Sequence, residues 1–455
     1  MNESIERRRF LKQVGAVGIG LGVAGYFNRQ ARAETPSSVT AANKFGPNDK
    51  VTAAVIGTNS RGGAHIDSLS NLPGVEIIYI CDVDTRAVEK GVKQAEKKQN
   101  NAPKALSDFR KLLADPSLDV VTIATPDHWH TPMAIMALAA GKHVYVEKPC
   151  SHNPHEGELL LAAVNKYQRI AQMGAQRRSS AQMREIIPQI QSGLIGKTYF
   201  AKGWYVRNRP SIGFGKAAPV PAWLDYDLWQ GPAPRRKFVD NLIHYNWHWR
   251  WHWGTGEALN NGAHEIDVAR WALGVNWPVR VSSNGGRYAF KDDWETPDTQ
   301  TISWDFPEGK TLCWEGHSCR DFPVEGRARG VMIYGSEGTA MLDGQEYIIY
   351  DKKGKVIKQA KGAEVVDPTN TVSGSGAALD TAHFSNFIET VRGNQQLNCP
   401  IKEGSKSVSL LHLGNIAWRI GRELHCDSAN GHILNDTEGK KLWKRDYEPG
   451  WEPKV

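Results

Sequence analysis

With 455 residues, of which 40% are hydrophobic and 23% charged, the chain has a composition typical of a globular protein of two or three domains. This composition excludes a mostly disordered or fibrous chain. The formal net charge is +7, but basic residues between positions 7 and 32 carry much of it. The rest of the chain is close to neutral and has no long basic run, so nucleic-acid binding is not expected.

The cysteines are spread along the chain without a recognisable pairing pattern. There are six of them, with no Cys-x-x-Cys pair and no histidine partner at zinc-finger spacing. This distribution favours buried free thiols over a disulfide framework.

The N-terminal segment has the pattern of an export signal. Arg7-Arg8-Arg9-Phe10-Leu11-Lys12 precedes an apolar stretch, Val14 to Phe27, and a small-x-small cleavage site, Ala31-Arg32-Ala33. The paired arginines resemble the twin-arginine (Tat) signal, which implies recognition by the Tat machinery and export in the folded state. We therefore predict a signal peptide over residues 1–33, a linker over 34–49 and a periplasmic or other extracytoplasmic protein. An uncleaved signal would instead leave a membrane anchor.

Residues 50–176 alternate between short apolar strands and helices. The predicted strands are Val51–Ile56, Val75–Ile80, Val120–Ala124, His143–Val146 and Ile170–Met173. The predicted helices are His65–Leu72, Thr85–Gln99, Thr131–Ala140 and Glu156–Tyr167. This alternation predicts an α/β domain with a doubly wound parallel sheet, the Rossmann architecture.

Residues 177–455 follow a different pattern. A helix at Met183–Ser192 precedes successive strands at Thr198–Val206, Arg280–Ser283, Thr299–Phe306, Thr311–Gly316 and Gly330–Tyr334. Two helices close the chain, Ala378–Arg392 and Ser405–Arg422. Strands without intervening helices predict an α+β domain with an open, largely antiparallel sheet.

A glycine-rich turn between the first strand and the first helix predicts a dinucleotide site. In Gly57-Thr58-Asn59-Ser60-Arg61-Gly62 the first Gly permits a tight turn and the last permits close helix packing, while backbone N–H groups meet the pyrophosphate. Asn59 replaces the middle Gly of the usual pattern. Asp82, which ends the second strand, is placed to bind the adenosine ribose and favours NAD. It could instead cap a turn or helix, and Arg61 and Arg86 could accommodate NADP.

Three further segments carry a family resemblance. They are Ala124-Thr125-Pro126-Asp127-His128-Trp129-His130, Glu147-Lys148-Pro149 and Asn260-Asn261-Gly262-Ala263-His264-Glu265-Ile266-Asp267, with Gly414-Asn415-Ile416-Ala417 near the end. Together they resemble the Gfo/Idh/MocA family of sugar and cyclitol oxidoreductases. The resemblance implies cofactor contacts at Gly57, Asn59, Arg61, Gly62, Asp82, Thr125, Pro126, His130, Glu147, Lys148 and Gln176. It also implies that residues 177–455 bind the substrate and form the interface of a homo-oligomer, a dimer or a tetramer.

By the same resemblance, Lys148 and His264 lie beside the nicotinamide and the reacting carbinol. Oxidation of an alcohol needs a base for the hydroxyl proton while hydride leaves, and a Lys beside the positive ring has a lowered pKa. Lys148 could instead form an ion pair, and His264 could be a core residue. Asn260 stands where many members have Asp and can orient a hydroxyl without accepting its proton. Asp267 is a candidate substrate contact.

The stretch from His244 to Trp253 alternates aromatic and basic residues and favours a carbohydrate cleft. Indole faces stack on the C–H faces of sugars, and His and Arg bind hydroxyls. The candidate substrate residues are Tyr205, Arg207, Trp249 and His252, with Arg209 and Trp223 on the same wall. A packed aromatic anchor is the alternative, and the helical spacing of His244, His248 and His252 leaves a metal conceivable. No metal is predicted.

The leading functional prediction is an NAD(P)-dependent oxidoreductase with a tightly held cofactor that acts on a ring hydroxyl or ketone of a sugar or glycoside, such as the 3-hydroxyl. One alternative is an NAD-dependent glycosidase, by resemblance to an exported branch that cleaves α-N-acetylgalactosaminides through oxidation, elimination, addition and reduction. The Tyr-Pro-Thr-His-Gly segment typical of that branch is absent from the sequence. The other alternative is a non-catalytic sugar-binding protein, which the loss of Asp at Asn260 would favour.

Overall fold

The computed structural model describes residues 49–361 and 375–455, all of which belong to one compact unit. The predicted signal peptide and nearly all of the predicted linker lie outside the described residues. Within the described ranges, no helix is both long and apolar enough to cross a membrane.

The first sheet is parallel and has six strands in the order β3-β2-β1-β4-β5-β6. Its strands are β1 Val51–Ile56, β2 Val75–Cys81, β3 Lys104–Leu106, β4 Val120–Ile123, β5 His143–Val146 and β6 Ala171–Met173. The strand order reverses between β1 and β4, and the crevice at this switch point is where such sheets bind ligands. The predicted doubly wound sheet is confirmed. Edge strand β3 was not predicted, because three half-exposed residues leave no hydrophobic pattern.

Helices cover both faces of this sheet. They are α1 Arg61–Ser70, α2 Thr85–Glu96, α3 Phe109–Leu113, α4 Asp127–Ala139 and α5 Pro154–Tyr167. Side-chain caps define several of their starts, since Asp84 accepts a hydrogen bond from the Arg86 N–H and Asn153 accepts one from the Glu156 N–H. Helix α1 begins directly after the glycine-rich turn, four residues before the predicted His65.

The second sheet has nine strands in the order β14-β13-β12-β11-β7-β10-β9-β8-β15. The strands are β7 Thr198–Val206, β8 Arg280–Gly286, β9 Thr299–Phe306, β10 Lys310–His317, β11 Arg329–Gly335, β12 Gly338–Leu342, β13 Tyr347–Asp351, β14 Val356–Ala360 and β15 Leu424–His425. Only β7 and β10 pair in parallel, so the predicted open and largely antiparallel sheet is confirmed. Burial alternates along β9, where Ile302, Trp304 and Phe306 point to the core.

The remaining helices of the described ranges lie within residues 177–455. They are α6 Ala181–Gln191, α7 Tyr226–Gln230, α8 Gly256–Asn260, α9 Gly262–Leu273, α10 Ser375–Val391, α11 Ile401–Ile420 and α12 Thr437–Lys441, with 3-10 turns at Gln176–Ser179 and Asn246–Trp249. Helix α9 lies on β7, where a Cβ at Gly203 would come within 2.9 Å of Glu265 Cβ. Helix α10 returns to the first sheet, where Phe384 stacks on Tyr145 with ring centroids 4.1 Å apart.

Residues 207–254, between β7 and α8, form what we call the aromatic insert. It has its own core, made of Leu224, Tyr226, Trp229, Ala233, Phe238, Leu242, Trp247 and Trp253. Backbone hydrogen bonds tie it to the end of β2, from Thr85 N to Trp223 O (3.0 Å) and from Asp225 N to Val83 O (3.0 Å). The insert is therefore a small folded body fixed to the parallel sheet.

Candidate active site

A cavity of about 410 Å³ lies at the carboxyl ends of the parallel strands. The last residues of β1, β2 and the residues just after β4 and β5 form one wall, and the aromatic insert, α8 and α9 form the other. We call the part beside Asp82 the adenosine end and the part beside Lys148 and His264 the nicotinamide end. The predicted cofactor and catalytic motifs thus meet in one space.

The glycine-rich turn has the shape that a dinucleotide requires. Gly57 has φ +84, and a Cβ there would come within 2.7 Å of the Ala124 backbone. A Cβ at Gly62 would come within 1.9 Å of the Gly57 carbonyl oxygen, so both positions need Gly. Asn59, Ser60 and Arg61 line the cavity where α1 begins. The buried hydroxyl of Thr125, which also lines it, has no hydrogen-bond partner among the described residues. These features fit the phosphates and ribose of a dinucleotide.

Asp82 serves the turn and the cavity together. Its carboxylate accepts hydrogen bonds from Thr58 N (2.6 Å) and Asp84 N (3.0 Å), and it lines the adenosine end. Burial raises the pKa of Asp82, although the two backbone N–H groups oppose this shift. Asp82 therefore caps the turn, as the alternative interpretation proposed. It also lines the cavity, where the ribose contact is predicted.

Lys148 points to Asn260, the last residue of α8. Its ammonium donates to the Asn260 carbonyl oxygen (2.5 Å) and to Asn260 Oδ1 (3.3 Å). Among the described residues it forms no ion pair within 4.0 Å of a carboxylate, so the alternative of a structural ion pair is not observed. Burial lowers the pKa of Lys148, which brings the amine closer to proton exchange at neutral pH.

His264 and Asn260 complete the nicotinamide end. Burial, together with the positive charge of Lys148, lowers the pKa of His264 well below its ordinary value, so the imidazole is neutral. Within the described residues no hydrogen bond reaches either ring nitrogen, and neither nitrogen is sealed from the cavity. Asn260 Nδ2 donates to Glu257 Oε1 (3.3 Å). The structure brings the predicted trio of Lys148, His264 and Asn260 together.

A cluster of buried charges lies beneath this trio. Arg61 Nε donates to Glu147 Oε1 (2.8 Å) and Arg61 Nη1 donates to Asp380 Oδ2 (2.8 Å). Burial alone would raise the pKa of Glu147, but Arg61 and His65 bring it well below its ordinary value. Gln176 Nε2 donates to Glu147 Oε1 (3.1 Å) and lies behind the cavity wall. The predicted cofactor residues Arg61, Glu147 and Gln176 are thus joined by hydrogen bonds. Asp380 completes the cluster, but it lies in no sequence motif that would have predicted this.

His130 joins the loops that follow β4 and β5. Its Nδ1 lies 2.6 Å from the Pro149 carbonyl oxygen and its Nε2 lies 2.8 Å from the Thr125 carbonyl oxygen. Thr125, Pro126 and His130 all line the cavity. These predicted cofactor residues therefore form its floor.

The predicted substrate residues divide into two groups. Tyr205 and Arg207 line the cavity, whereas the other three lie elsewhere. Trp249 stacks on Trp294 at 4.0 Å, His252 Nε2 donates to the Pro234 carbonyl oxygen (2.7 Å), and Asp267 pairs with Arg178 (2.7 Å). The stretch is a 3-10 turn followed by irregular turns, so neither period two nor a long helix describes it.

Other residues of the same stretch do reach the cavity. His244, Tyr245, Trp247 and His248 line it. In the sequence His244 and His248 were considered only for a metal, and none of the four was named as a substrate residue. Arg209, which also lines it, pairs with Glu257 through Nε to Oε2 (2.6 Å). The aromatic composition indicated a wall of the cavity but could not say which side chains face it.

The aromatic insert covers the adenosine end through side chains as well. His244 Nε2 lies 2.7 Å from Asp84 Oδ2, and the Arg86 guanidinium lies 3.4 Å from the Trp223 ring centroid. Trp223 and His244 stack at 5.8 Å. Residues beyond the parallel sheet therefore pack against the loop that follows β2, where the ribose contact is predicted.

In the described ranges, no group of three or more His, Cys, Asp or Glu residues has the geometry of a metal site. The histidine spacing in the aromatic insert therefore does not produce one. All six cysteines are free, and four of them are buried, as the sequence predicts.

Comparison with protein families identifies the chain. Residues 51–175 match "Oxidoreductase family, NAD-binding Rossmann fold", residues 230–341 match "GFO/IDH/MocA C-terminal domain" and residues 328–452 match "Oxidoreductase family, C-terminal alpha/beta domain". The chain belongs to the Gfo/Idh/MocA oxidoreductase family. The predicted NAD-binding domain is confirmed.

Curated relatives share part of the chain. A glycosyl hydrolase family 109 protein of Saccharopolyspora erythraea is 30% identical over 256 residues, which are 51% of this chain and 55% of that protein. An alpha-N-acetylgalactosaminidase of Shewanella oneidensis is 28% identical over 212 residues, 45% of this chain and 46% of that protein. The chain thus spans about half the length of the curated relatives it matches.

Solved structures share the fold at low sequence identity. The WlbA dehydrogenase from Bordetella pertussis, crystallised with NADH and UDP-GlcNAcA, matches with a TM-score of 0.62 and 19% identity. The match covers 83% of this chain and 99% of that one. An oxidoreductase domain protein from Kribbella flavida matches with a TM-score of 0.64 and 18% identity, covering 83% and 99%.

Proposed function

We propose that the protein transfers hydride between a tightly bound NAD and a ring hydroxyl or ketone of a sugar or glycoside, with the 3-hydroxyl as the leading position. The observation that carries this proposal is the convergence of Lys148, Asn260 and His264 at the nicotinamide end of a cavity whose other end has a dinucleotide turn. The family itself consists of oxidoreductases, which supports the reaction class.

The residues divide the proton chemistry between them. NAD, when bound, accepts the hydride. The neutral imidazole of His264 accepts the hydroxyl proton, because its pKa is lowered and its nitrogens are open to the cavity. Lys148, held by Asn260, donates a hydrogen bond to the carbinol oxygen and stabilises negative charge there as the proton leaves. Asn260 positions the ammonium.

The direct test is turnover on a panel of methyl and 4-nitrophenyl pyranosides, followed as absorbance of the reduced nicotinamide in a single turnover. We expect at least one pyranoside to reduce the bound cofactor, and the oxidised product to be a ketosugar by mass. If no pyranoside reduces the cofactor while several bind, a sugar-binding protein is the better description.

The cofactor is held tightly because the aromatic insert covers the adenosine end. Backbone bonds from Thr85 and Asp225 and the contact of His244 with Asp84 must open before the adenosine can leave. We expect NAD(H) to remain through purification, near one per chain. Denaturing the purified protein and measuring nucleotide in the supernatant tests this, and a supernatant without nucleotide contradicts it.

The relatives named as glycosidases favour a second candidate function. In this reaction the C3 carbinol of a glycoside would lose hydride to NAD and its hydroxyl proton to a base of the site, C2 would lose a proton, and the C1–O bond would break as the aglycone oxygen takes a proton. Water would then add across C1=C2, and return of hydride to C3 and of a proton to its oxygen would regenerate NAD and the alcohol. Release of nitrophenol from a 4-nitrophenyl glycoside without net NADH, and with solvent deuterium entering C2, would identify this function. Nitrophenol release without deuterium at C2 would argue against it.

Export in the folded state accounts for the need to hold the cofactor. The N-terminal arginine pair, Arg7 and Arg8, resembles the Tat signal, and a dinucleotide acquired in the cytoplasm would have to cross with the protein. We expect replacement of both arginines by lysine to leave the protein in the cytoplasm. Fractionation of cells carrying each form is the test, and an unchanged distribution would contradict export by this route.

A further inference from the structure

His248 lies in the wall of the cavity, close to the catalytic residues. It lines the same space as Lys148 and His264. Its ring centroid lies 4.6 Å from that of Tyr245, whose hydroxyl accepts a hydrogen bond from Arg209 (2.8 Å). Arg209 in turn pairs with Glu257, the partner of Asn260, so these contacts connect His248 to the nicotinamide end. The proton transfers described above do not use it.

The His248 ring is fixed in orientation. It stacks on Trp247, with ring centroids 3.6 Å apart and planes 19° apart. Its Nδ1 donates a hydrogen bond to the Tyr245 carbonyl oxygen at 2.6 Å. A carbonyl can only accept, so the proton of the neutral ring resides on Nδ1 and the lone pair resides on Nε2.

The Nε2 atom is available to a ligand. Over residues 49–361 and 375–455 no hydrogen bond reaches it, and it is not among the sealed polar atoms. Burial lowers the pKa of His248 to about 3, against the effect of the Tyr245 carbonyl and in the same direction as Lys148 and Arg209. The ring is therefore neutral near pH 7, and Nε2 is a hydrogen-bond acceptor there.

We propose that His248 Nε2 accepts a hydrogen bond from one substrate ring hydroxyl near the carbon that is oxidised, and so selects sugars that carry a donor at that position. This inference rests on the proposed function, whose sugar ring it orients. A fixed acceptor discriminates because an analogue without the hydroxyl leaves Nε2 without its partner. His248 is then a specificity-determining residue, distinct from the proton-transfer pair.

Two substitutions separate the acceptor from the rest of the ring. His248→Asn places an amide N–H near the position of Nδ1 and keeps a donor for the Tyr245 carbonyl, but removes the acceptor at Nε2. His248→Gln reaches the position of Nε2 with an amide oxygen and keeps the acceptor. Both lose the stack on Trp247, and the Gln variant also loses the donor to the Tyr245 carbonyl. Any advantage of Gln over Asn therefore comes from the acceptor at the position of Nε2. His425→Asn, an exposed histidine on β15 with 70% of its side chain accessible, is the surface control.

The probes are the pyranoside turned over best in the methyl and 4-nitrophenyl panel and its 2-, 4- and 6-deoxy analogues. We expect kcat/KM of the wild type to fall about 10-fold or more on one deoxy analogue. His248→Asn should lose about as much on the parent sugar and nothing further on that analogue, with NAD content unchanged. His248→Gln should regain part of the loss, and His425→Asn should match the wild type.

Other outcomes overturn the inference. The loss of kcat/KM caused by His248→Asn could multiply with the loss caused by the missing hydroxyl on every deoxy analogue. In that case Nε2 binds none of the tested hydroxyls. Equal losses in the Asn and Gln variants point to the stack alone. If no pyranoside is turned over by the wild type, the proposed function fails separately. Calorimetric binding of the same sugars then decides, and equal affinities of wild type and His248→Asn reject the role of His248.

Discussion

The two ends of the cavity are built from different kinds of contact. At the nicotinamide end, Lys148 follows a strand and His264 opens a helix, and each occurs in a short motif. At the adenosine end, Asp82 follows a strand, but its cover of Trp223 and His244 comes from the aromatic insert. Reactive groups are thus encoded in short motifs, whereas the proposed retention of the cofactor depends on contacts between distant segments.

Removal of the Lys148 ammonium gives the largest expected effect and tests whether the two ends are separable. Lys148→Ala should reduce kcat by about 10²- to 10⁴-fold, because the carbinol oxygen loses its charged hydrogen-bond donor. The NAD(H) content should stay the same, since the adenosine end is unaltered. Single-turnover absorbance and nucleotide content are the measurements, with exposed Lys97→Ala as control. Loss of nucleotide together with activity would mean that the ends act as one.

Removal of Asp380 breaks the charge cluster beneath the nicotinamide end. Its carboxylate binds Arg61 and is 2% exposed, so Asp380→Ala leaves a buried guanidinium with one carboxylate partner fewer. We expect a loss of about 3–5 kcal/mol in the free energy of unfolding, measured by urea titration. The matched control is Asp67→Ala, which removes a surface pair with Lys98 and should cost less than about 1 kcal/mol. Similar values for both variants would contradict this view of the cluster.

Weakening the adenosine cover should speed cofactor release. Trp223→Ala removes the surface on which Arg86 and His244 stack, and we expect release of NAD to accelerate about 10-fold. Release can be followed by exchange against excess labelled NAD, while single-turnover hydride transfer stays within about twofold of wild type. Trp251→Ala, a tryptophan of the same insert that packs near Arg419 outside the cavity, serves as control. Unchanged exchange would show that the insert does not retain the cofactor.

Acid should destabilise the fold because buried histidines resist protonation. We expect the effect of each histidine on the free energy of unfolding to be smaller than the effects described above. Burial lowers the pKa of His383 and of His412 to about 4, below the value near 6.5 of an unfolded histidine. The unfolded chain then binds more protons, so stability is complete above pH 6.5 and falls towards pH 4. We expect His412→Gln to reduce the slope of unfolding free energy against pH by about 1 kcal/mol per unit. An unchanged slope between pH 6.5 and 4 would contradict this.

Elements with a strong period could be predicted from the sequence. Strand β5 and helix α5 have a continuous apolar run or an apolar face, and their positions follow from it. Strands β12 to β14 are short and lie between turns, and the sequence analysis did not find them. Their order in the sheet depends on pairing with β11, which no local pattern contains.

The site, like the fold, could be predicted where a local pattern specifies it and could not be predicted where contacts between segments specify it. Gly57, Gly62 and Lys148 are required by backbone geometry or by reaction chemistry, so residue type and position suffice. Trp249 and His248 are adjacent aromatic residues, yet the first is buried on Trp294 and the second lines the cavity. The backbone of the 3-10 turn Asn246–Trp249 determines which of the two side chains faces the cavity. The alternation of aromatic and basic residues in the sequence does not specify this backbone.

The bond between Arg61 and Asp380 joins residues 319 positions apart. During synthesis the glycine-rich turn leaves the ribosome early, but the helix that carries Asp380 follows only after most of the chain has been made. The ion pair that holds Arg61 beside the glycine-rich turn can therefore form only after the helix bearing Asp380 has been made. We expect loading of the dinucleotide to follow synthesis of that helix.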